Sequence, residues 1–229
     1  MKPFIEQARN ILLRDLDPDF IESAAVALGW EYNSLYERLA DDASLMDCYR
    51  EEEFNKRRGD CAVRAMARAA KQHGIPLEFR RLDCNGQVKL LVKAGRVILI
   101  QEPILTLEDQ PAASDYKMQL ADMHGFVRQL ELDLGDQPNR IRDWSGCLLG
   151  VLLHGSAGRK FDRAQKSLGS AMLAVPDSGY SQWVLRLDLH SIAMFGRNAP
   201  QEDARANNVT QDDEVVVTSK RRNSEAEFG

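Results

Sequence analysis

The hydrophobic pattern of this chain changes its period at Pro76, and that change constrains the fold more than any other feature. Before Pro76, apolar residues recur every third or fourth position, which is the period of an amphipathic helix. After it, short apolar stretches are separated by Gly, Pro and Asn, as strands are. The sequence therefore predicts an α+β fold, with a helical N-terminal subdomain at 1–75 packed on a mainly antiparallel sheet at 76–197.

The N-terminal part begins with two predicted helices. The first has an apolar face that is formed by Phe4, Ile5, Ala8, Ile11 and Leu12. Asp17 is a capping residue type, and Pro18 suits the first position of the second helix, where no backbone N–H is needed. Gly29 is a typical residue just beyond a helix C-terminus. We therefore expect the second helix to end there.

Two more helices are predicted before Pro76. A short one begins at Asn33 or Ser34, since both residue types can cap a helix, and it ends near residue 39. A fourth runs from residue 61 to about residue 73, with Asp60 as its cap and Gly74 as its end. The helical part is therefore expected to contain four separate segments.

Asn85-Gly86 is the strongest turn signal in the C-terminal part, because this dipeptide favours the two-residue turn of a hairpin. It predicts that strands at 77–84 and 87–92 pair, and a third strand at 96–101 extends them into a meander. Further strands are predicted at 126–134, 147–154, 171–175 and 183–189. Short helices are predicted at 114–123, 160–168 and 190–195.

The last segment of the chain, 198–229, has lost the apolar periodicity of the rest. It contains seven acidic and four basic residues, and residues 215–217 are its one apolar cluster. Such a composition buries too little apolar surface to offset the entropy of ordering the chain. We expect a disordered C-terminal tail, and the three valines are an alternative docking strand for a protein partner.

Composition excludes several classes of protein. The hydrophobic share of 44% is that of a globular protein, and no apolar run reaches the roughly 18 residues that span a bilayer. Charged residues interrupt the N-terminus, so no signal peptide is predicted and the expected location is cytoplasmic. The net charge of −5 gives no overall attraction to nucleic acid or to an anionic membrane. Contact with DNA or RNA would need a local basic patch.

The four cysteines, at positions 48, 61, 84 and 147, do not form a metal-binding pattern. Their spacing matches no zinc motif and includes no Cys-x-x-Cys pair. The segment 154–160 contains glycines and two cations, but its spacing differs from that of a phosphate loop. Neither a metal nor a cofactor is therefore predicted.

The stretch 20–39 contains the residue pattern of two closely packed helices. Small residues allow two helices to approach, and glycine at the corner adopts conformations that other residues resist. The residues that carry the pattern are Ala24, Ala25, Leu28, Gly29, Trp30, Leu35 and Leu39. This stretch resembles a helix-turn-helix of the Fis type. The resemblance implies that Trp30 fills a shared core and that Asn33, Ser34 and Arg38 face DNA, while a plain helical hairpin is the alternative.

A basic stripe lies along the predicted fourth helix and just before it. Arg57, Arg64, Arg68 and Lys71 are separated by 7, 4 and 3 positions, which places them on one side of a helix. These residues are candidates for phosphate contacts with nucleic acid. The acidic run 51–53 precedes them, so a solvated face with internal ion pairs is the alternative.

Cys61 begins the same predicted helix, where the helix dipole and nearby cations favour a thiolate. The residues 59–65, Gly-Asp-Cys-Ala-Val-Arg-Ala, resemble the nucleophile segment of papain-like cysteine peptidases. The resemblance implies that His124 is the base and that Asp143 orients it. A small buried cysteine in an ordinary packed helix is the alternative.

These patterns leave three hypotheses for function. The first is a non-enzymatic binding protein with a regulatory or nucleic-acid-associated role, which acts through the helical part and the basic stripe. The second is a papain-like thiol hydrolase that uses Cys61, His124 and Asp143. The third is a protein–protein adaptor that docks its C-terminal tail.

Overall fold

The described part of the chain consists of a six-stranded sheet with three long helices against one of its faces. The computed structural model describes residues 2–81, 87–122 and 146–195. Its helices are α1 (Lys2–Asp15), α2 (Pro18–Ala40), α3 (Asp47–Gln72), α4 (Asp115–Asp122), α5 (Arg163–Lys166) and α6 (Leu189–Phe195). Its strands are β1 (Leu77–Arg81), β2 (Val88–Ala94), β3 (Val97–Pro103), β4 (Leu148–Ser156), β5 (Leu168–Pro176) and β6 (Trp183–Asp188).

The strands follow one another in the sheet in chain order, β1-β2-β3-β4-β5-β6. Strands β3 and β4 are parallel, with Val97 opposite Leu148 and Pro103 opposite His154, and the other neighbouring pairs are antiparallel. A parallel pair needs a long connection, and α4 lies within this one. The prediction of an α+β fold with a mainly antiparallel sheet is confirmed.

The predicted hairpin after Pro76 is also confirmed in its pairing. Strands β1 and β2 are antiparallel, with Leu77 opposite Val92 and Arg81 opposite Val88. The turn itself, the predicted strand at 126–134 and the predicted tail at 198–229 lie outside the described residues.

Alternation along the strands divides the apolar residues between two cores. Leu90, Val92 and Leu99 face α1, α2 and α3 in the larger core. Leu91 and Ile100 face the opposite side of the sheet, where residues of α4 cover them. Because the larger core joins the helices to the sheet, the helical part and the sheet part share their buried surface.

The start of α2 and the end of α3 follow their local sequence signals. The Asp17 side chain accepts a hydrogen bond from the backbone N–H of Asp19, and Pro18 occupies the first helical turn. At the other end, Gly74 has a φ of 65°, and the N–H of Ile75 donates to the carbonyl of Ala70 at 2.8 Å. A glycine in this left-handed conformation is a common way to end a helix. Both predicted boundaries are confirmed.

The break predicted at Gly29 is wrong, because α2 is one continuous helix from Pro18 to Ala40. Its buried residues continue with helical spacing through the glycine, from Leu28 to Tyr32, Leu35 and Leu39. A glycine inside a helix costs only about 1 kcal/mol relative to alanine. Packing of the apolar stripe on both sides of Gly29 outweighs that cost. Residues 20–39 therefore lie in one helix rather than in two joined by a turn.

The helix start predicted at Asp60 is also wrong, because α3 begins at Asp47 and continues to Gln72. Phe54, Arg58 and Cys61 are buried on the stripe that continues into the second half of the helix. Cys61 is therefore in the middle of α3, far from the helix N-terminus. The helix predicted at 160–168 is likewise shorter than expected, since Ser167 is extended and Leu168 already belongs to β5.

Candidate nucleic-acid interface

Helices α2 and α3 form an antiparallel pair. Ser23 and His73 are hydrogen-bonded at 2.9 Å near one end of the pair. Further along, the centres of the Tyr32 and Phe54 rings are 5.6 Å apart. The apolar stripes of both helices face the sheet. We call the opposite, outward side of the pair the α2–α3 surface. Its exposed residues include Trp30, Asn33 and Arg38 of α2 and Arg57, Arg64, Arg68 and Lys71 of α3.

A buried carboxylate connects the two helices below this surface. The side chain of Glu31 is only 3% exposed, and its two oxygens accept from Arg64 Nε at 2.7 Å and from an Arg68 terminal nitrogen at 3.0 Å. The two arginine side chains are 43% and 53% exposed. The carboxylate is therefore shielded from water, whereas both of its cations reach the solvent.

This arrangement fixes two guanidinium groups at the protein surface. A guanidinium carries five N–H donors in a rigid plane. Arg64 uses two of its nitrogens, on Glu31 and on the Cys61 sulfur at 3.5 Å, and Arg68 uses one on Glu31. The cluster of Glu31, Arg64 and Arg68 also has one positive charge in excess. It can therefore donate hydrogen bonds to an anionic ligand without first having to order its side chains.

Trp30 lies at the edge of the same cluster and does not fill a core, so that prediction is wrong. Its side chain is 56% exposed, and the Arg68 guanidinium carbon is 5.0 Å from the centre of the ring. In the continuous α2, the buried stripe passes through Leu28, Glu31 and Tyr32 and leaves Trp30 beside it. The exposed Val26, one turn earlier, extends the apolar area.

The other predicted phosphate contacts lie around this cluster. Arg57 pairs with Glu53 at 2.9 Å, so the acidic run 51–53 neutralises that end of the stripe rather than Arg64 and Arg68. Lys71 is exposed at the other end. On α2, Arg38 is exposed and donates to the backbone oxygen of Ser34 at 3.2 Å. The two sets of candidates, predicted from separate stretches, are thus brought together on one surface.

No protein-family model matches this chain. No curated protein and no solved structure matches it either. Within residues 2–81, 87–122 and 146–195, no three or more His, Cys, Asp or Glu side chains are grouped as a metal site, and none of the helices could cross a membrane.

Cys61 lies directly beneath the cluster and has the opposite properties to those of an activated thiol. It is fully buried, and its Sγ–H donates to the backbone oxygen of Glu31 at 3.6 Å. Burial raises the pKa of the Cys61 thiol to about 11, although the nearby Arg64 charge acts in the other direction. The thiol is therefore protonated at neutral pH, and a helix dipole does not activate it. His124 and Asp143, the predicted base and its orienting residue, lie outside the described residues.

A second polar region lies on the inner side of α2, at the carboxyl end of the parallel pair β3–β4. The Tyr32 hydroxyl is 2.6 Å from Nδ1 of His154, and Nε2 of His154 is 2.9 Å from the side-chain oxygen of Gln101. Because a carbonyl oxygen can only accept, Nε2 carries the proton and Nδ1 accepts from the tyrosine. We call these three residues the Tyr32 network.

The Tyr32 network is electrically neutral. Both Tyr32 and His154 are fully buried. Burial lowers the pKa of His154 to about 3, and the charge of Arg58 acts in the same direction. Burial also raises the pKa of Tyr32 above its usual value. The network therefore joins α2 to the sheet by hydrogen bonds and offers no proton-transfer group near neutral pH.

Glu31 and Trp30 organise the surface, but Glu31 is not among the residues predicted for the site, and Trp30 is predicted to fill a core because a helix end is expected at Gly29. One signal was available: Val26 and Trp30 are four positions apart and lie off the stripe of Ala24, Leu28 and Leu35. An aromatic residue outside the apolar stripe of an amphipathic helix is expected to be exposed.

Proposed function

We propose that this protein is a non-enzymatic binding protein with a nucleic-acid-associated, regulatory role, and that DNA or RNA binds to its α2–α3 surface. One observation carries the proposal. Arg64 and Arg68 are anchored on the buried carboxylate of Glu31 and lie beside the exposed ring of Trp30. Other exposed cations continue along the same two helices, at Arg38 and Lys71.

Arginines held in place bind phosphate more effectively than mobile ones. A free side chain loses rotational entropy when it binds, and that loss reduces affinity. Because Glu31 already orders two guanidinium groups, less of this entropy remains to be lost on binding. The one excess positive charge of the Glu31–Arg64–Arg68 cluster also supplies locally what the net charge of −5 does not, namely attraction to a phosphate backbone.

The buried Cys61 also favours binding over thiol chemistry. A cysteine nucleophile needs access to its substrate and a pKa that allows the thiolate to form. Cys61 is fully buried and its pKa is raised to about 11 by that burial. Its position under Glu31 suits a packing residue of the helix pair.

The proposal is tested by binding of a fluorescently labelled oligonucleotide, measured by anisotropy at low salt. The variant is Glu31→Gln/Arg64→Gln/Arg68→Gln, which removes both guanidinium groups without leaving a buried carboxylate unpaired. We expect affinity to fall about tenfold or more, since hydrogen bonds between charged groups contribute roughly 1.5–3 kcal/mol each.

The matched control is Arg9→Gln/Arg14→Gln on α1, which also removes two arginines. The main contacts of helix α1 are with β3, β4 and β6. The control is expected to bind as the unmodified protein does. The proposal is wrong if the unmodified protein does not bind DNA or RNA, or if the triple variant and the control weaken binding equally.

A further inference from the structure

We infer that the nucleic acid taken by the α2–α3 surface is single-stranded, and that Trp30 is the platform on which one of its bases stacks. The inference rests on the proposed function and specifies its ligand. It is carried by the position of one exposed indole among ordered cations, and by the shape of the two-helix face.

The exposure of the Trp30 side chain is not explained by folding alone. More than half of it is exposed, at 56%, and Val26 next to it is 66% exposed. Tryptophan is usually well buried, because its large apolar surface is costly to hydrate. An apolar area bordered by charged side chains is typical of a binding site. Here the border includes Arg68, whose guanidinium lies over the ring.

The Arg68 contact prepares the indole for stacking. The guanidinium carbon is 5.0 Å from the ring centre, and Glu31 holds the same side chain at 3.0 Å. The ring and the guanidinium plane are thus held together at the surface. Bases of single strands stack on aromatic rings and on arginine planes, while nearby cations contact the phosphates. Arg64, on the other oxygen of Glu31, is placed to make such a phosphate contact.

A double helix fits this surface less well. A helical protein reads a duplex by placing a helix in the major groove, which is about 12 Å wide. Helix α2 runs unbroken from Pro18 to Ala40 beside α3, and Glu31 ties the two together. Since each helix with its side chains is about 10–12 Å across, the pair is too broad to enter. Bases that are paired in a duplex also have no free face for Trp30.

The test compares three labelled ligands of equal length: an oligothymidylate, the same backbone without bases, and a duplex. Binding is measured by anisotropy with the unmodified protein, with Trp30→Ala and with Trp30→Phe. We expect the oligothymidylate to bind about tenfold more tightly than the abasic backbone, which corresponds to one stacked base. Trp30→Ala removes that difference, and Trp30→Phe keeps part of it because a ring remains.

The outcomes separate this inference from the proposed function. If the abasic strand or the duplex binds as tightly as the oligothymidylate, or if Trp30→Ala keeps the preference, stacking on Trp30 is wrong. The proposed function then still stands, provided that the Glu31→Gln/Arg64→Gln/Arg68→Gln variant binds all ligands weakly. If no ligand binds to the unmodified protein, both are wrong. Because Trp30 is exposed, its replacement is expected to leave the circular dichroism spectrum and melting temperature unchanged, which excludes misfolding as the cause of a loss.

Discussion

Glu31 and Tyr32 are consecutive residues of α2 and both are buried, at 2% and 0% exposure, yet they belong to two different polar regions. Glu31 faces α3 and binds two arginines whose side chains reach the solvent. Tyr32 faces the sheet and binds a histidine that has no contact with water. One region is ionic and lies at the surface, and the other is neutral and lies in the interior.

The comparison shows how solvent access decides which kind of polar group can be buried. A carboxylate remains ionised out of water only where cations and hydrogen bonds compensate for its lost hydration. Half-exposed arginines can do this for Glu31 and keep donors for a ligand. Deeper in the core the charged form of His154 is too costly, so the residue stays neutral and serves to position elements. The surface region can therefore bind, whereas the interior region holds the fold.

The largest expected effect comes from removing the cations of the surface region. Arg64→Gln/Arg68→Gln leaves the Glu31 carboxylate, 3% exposed, without a compensating charge. We expect the free energy of unfolding to fall by about 3 kcal/mol. Adding Glu31→Gln should restore most of it, because no buried charge then remains. Urea unfolding measures all three proteins. A triple variant that is as unstable as the double variant would show that the carboxylate is not the cause.

The next largest effect is expected from acid pH, which should lower the free energy of unfolding through the interior region. His154 has a folded-state pKa of about 3 and an unfolded value of 6.5. Between these two pH values His154 is protonated in the unfolded chain but not in the folded one. The free energy of unfolding therefore falls as pH falls below 6.5. The expected loss from pH 7 to pH 5 is about 2 kcal/mol.

The variant His154→Leu is the control for this pH dependence, since it lacks the titrating group. From pH 7 to pH 5, the free energy of unfolding of this variant should fall by about 2 kcal/mol less than that of the unmodified protein. Equal pH dependence in the two proteins would mean that the pKa of His154 is the same in the folded and unfolded states, which would contradict the effect of its burial.

A smaller effect is expected when one hydrogen bond of the interior region is deleted. Tyr32→Phe removes the hydroxyl that donates to Nδ1 of His154 at 2.6 Å. The buried nitrogen is then left without a donor, and we expect the free energy of unfolding to fall by about 1–2 kcal/mol. Oligonucleotide affinity should not change. Weaker binding by a Tyr32→Phe protein that remains folded would show that the two regions are coupled.

The smallest effect concerns the reactivity of the Cys61 thiol, which lies between the two regions. Iodoacetamide at neutral pH should modify the exposed Cys48 in the folded protein and leave Cys61 unreacted, because burial keeps that thiol protonated and inaccessible. Both should react in urea. Mass spectrometry of the tryptic peptides distinguishes them. Rapid labelling of Cys61 in the folded protein would support thiol chemistry instead.

Much of the fold could be predicted where the signal is local. The Asp17 cap, the Gly74 terminus and the pairing of β1 with β2 each depend on a few adjacent residues and were predicted correctly. The predictions at Gly29 and Asp60 failed for the opposite reason. Both residues are common at helix ends, but here apolar stripes continue through them and packing on the sheet keeps α2 and α3 unbroken.

The candidate site could be predicted only in part. Helical spacing correctly placed Arg64 and Arg68 on one side of a helix. Their common partner is Glu31, 33 and 37 positions away, and that pairing depends on how α2 packs against α3. No local pattern contains this information, because the pairing joins residues on different helices. The exposure of Trp30 does have a local signal, its position off the apolar stripe of α2, but that signal is lost when the helix is expected to end at Gly29.

The most direct test of the account is the salt dependence of oligonucleotide binding, measured for the unmodified protein, for Glu31→Gln/Arg64→Gln/Arg68→Gln and for Tyr32→Phe. Each phosphate contact contributes about 0.7 to the slope of log affinity against log salt for a single strand. The account predicts that the slope of the triple variant is smaller by about 0.7 or more, since at least the phosphate contact of Arg64 is lost. It predicts that Tyr32→Phe keeps the full slope. Equal slopes for all three proteins would contradict the assignment of binding to the α2–α3 surface.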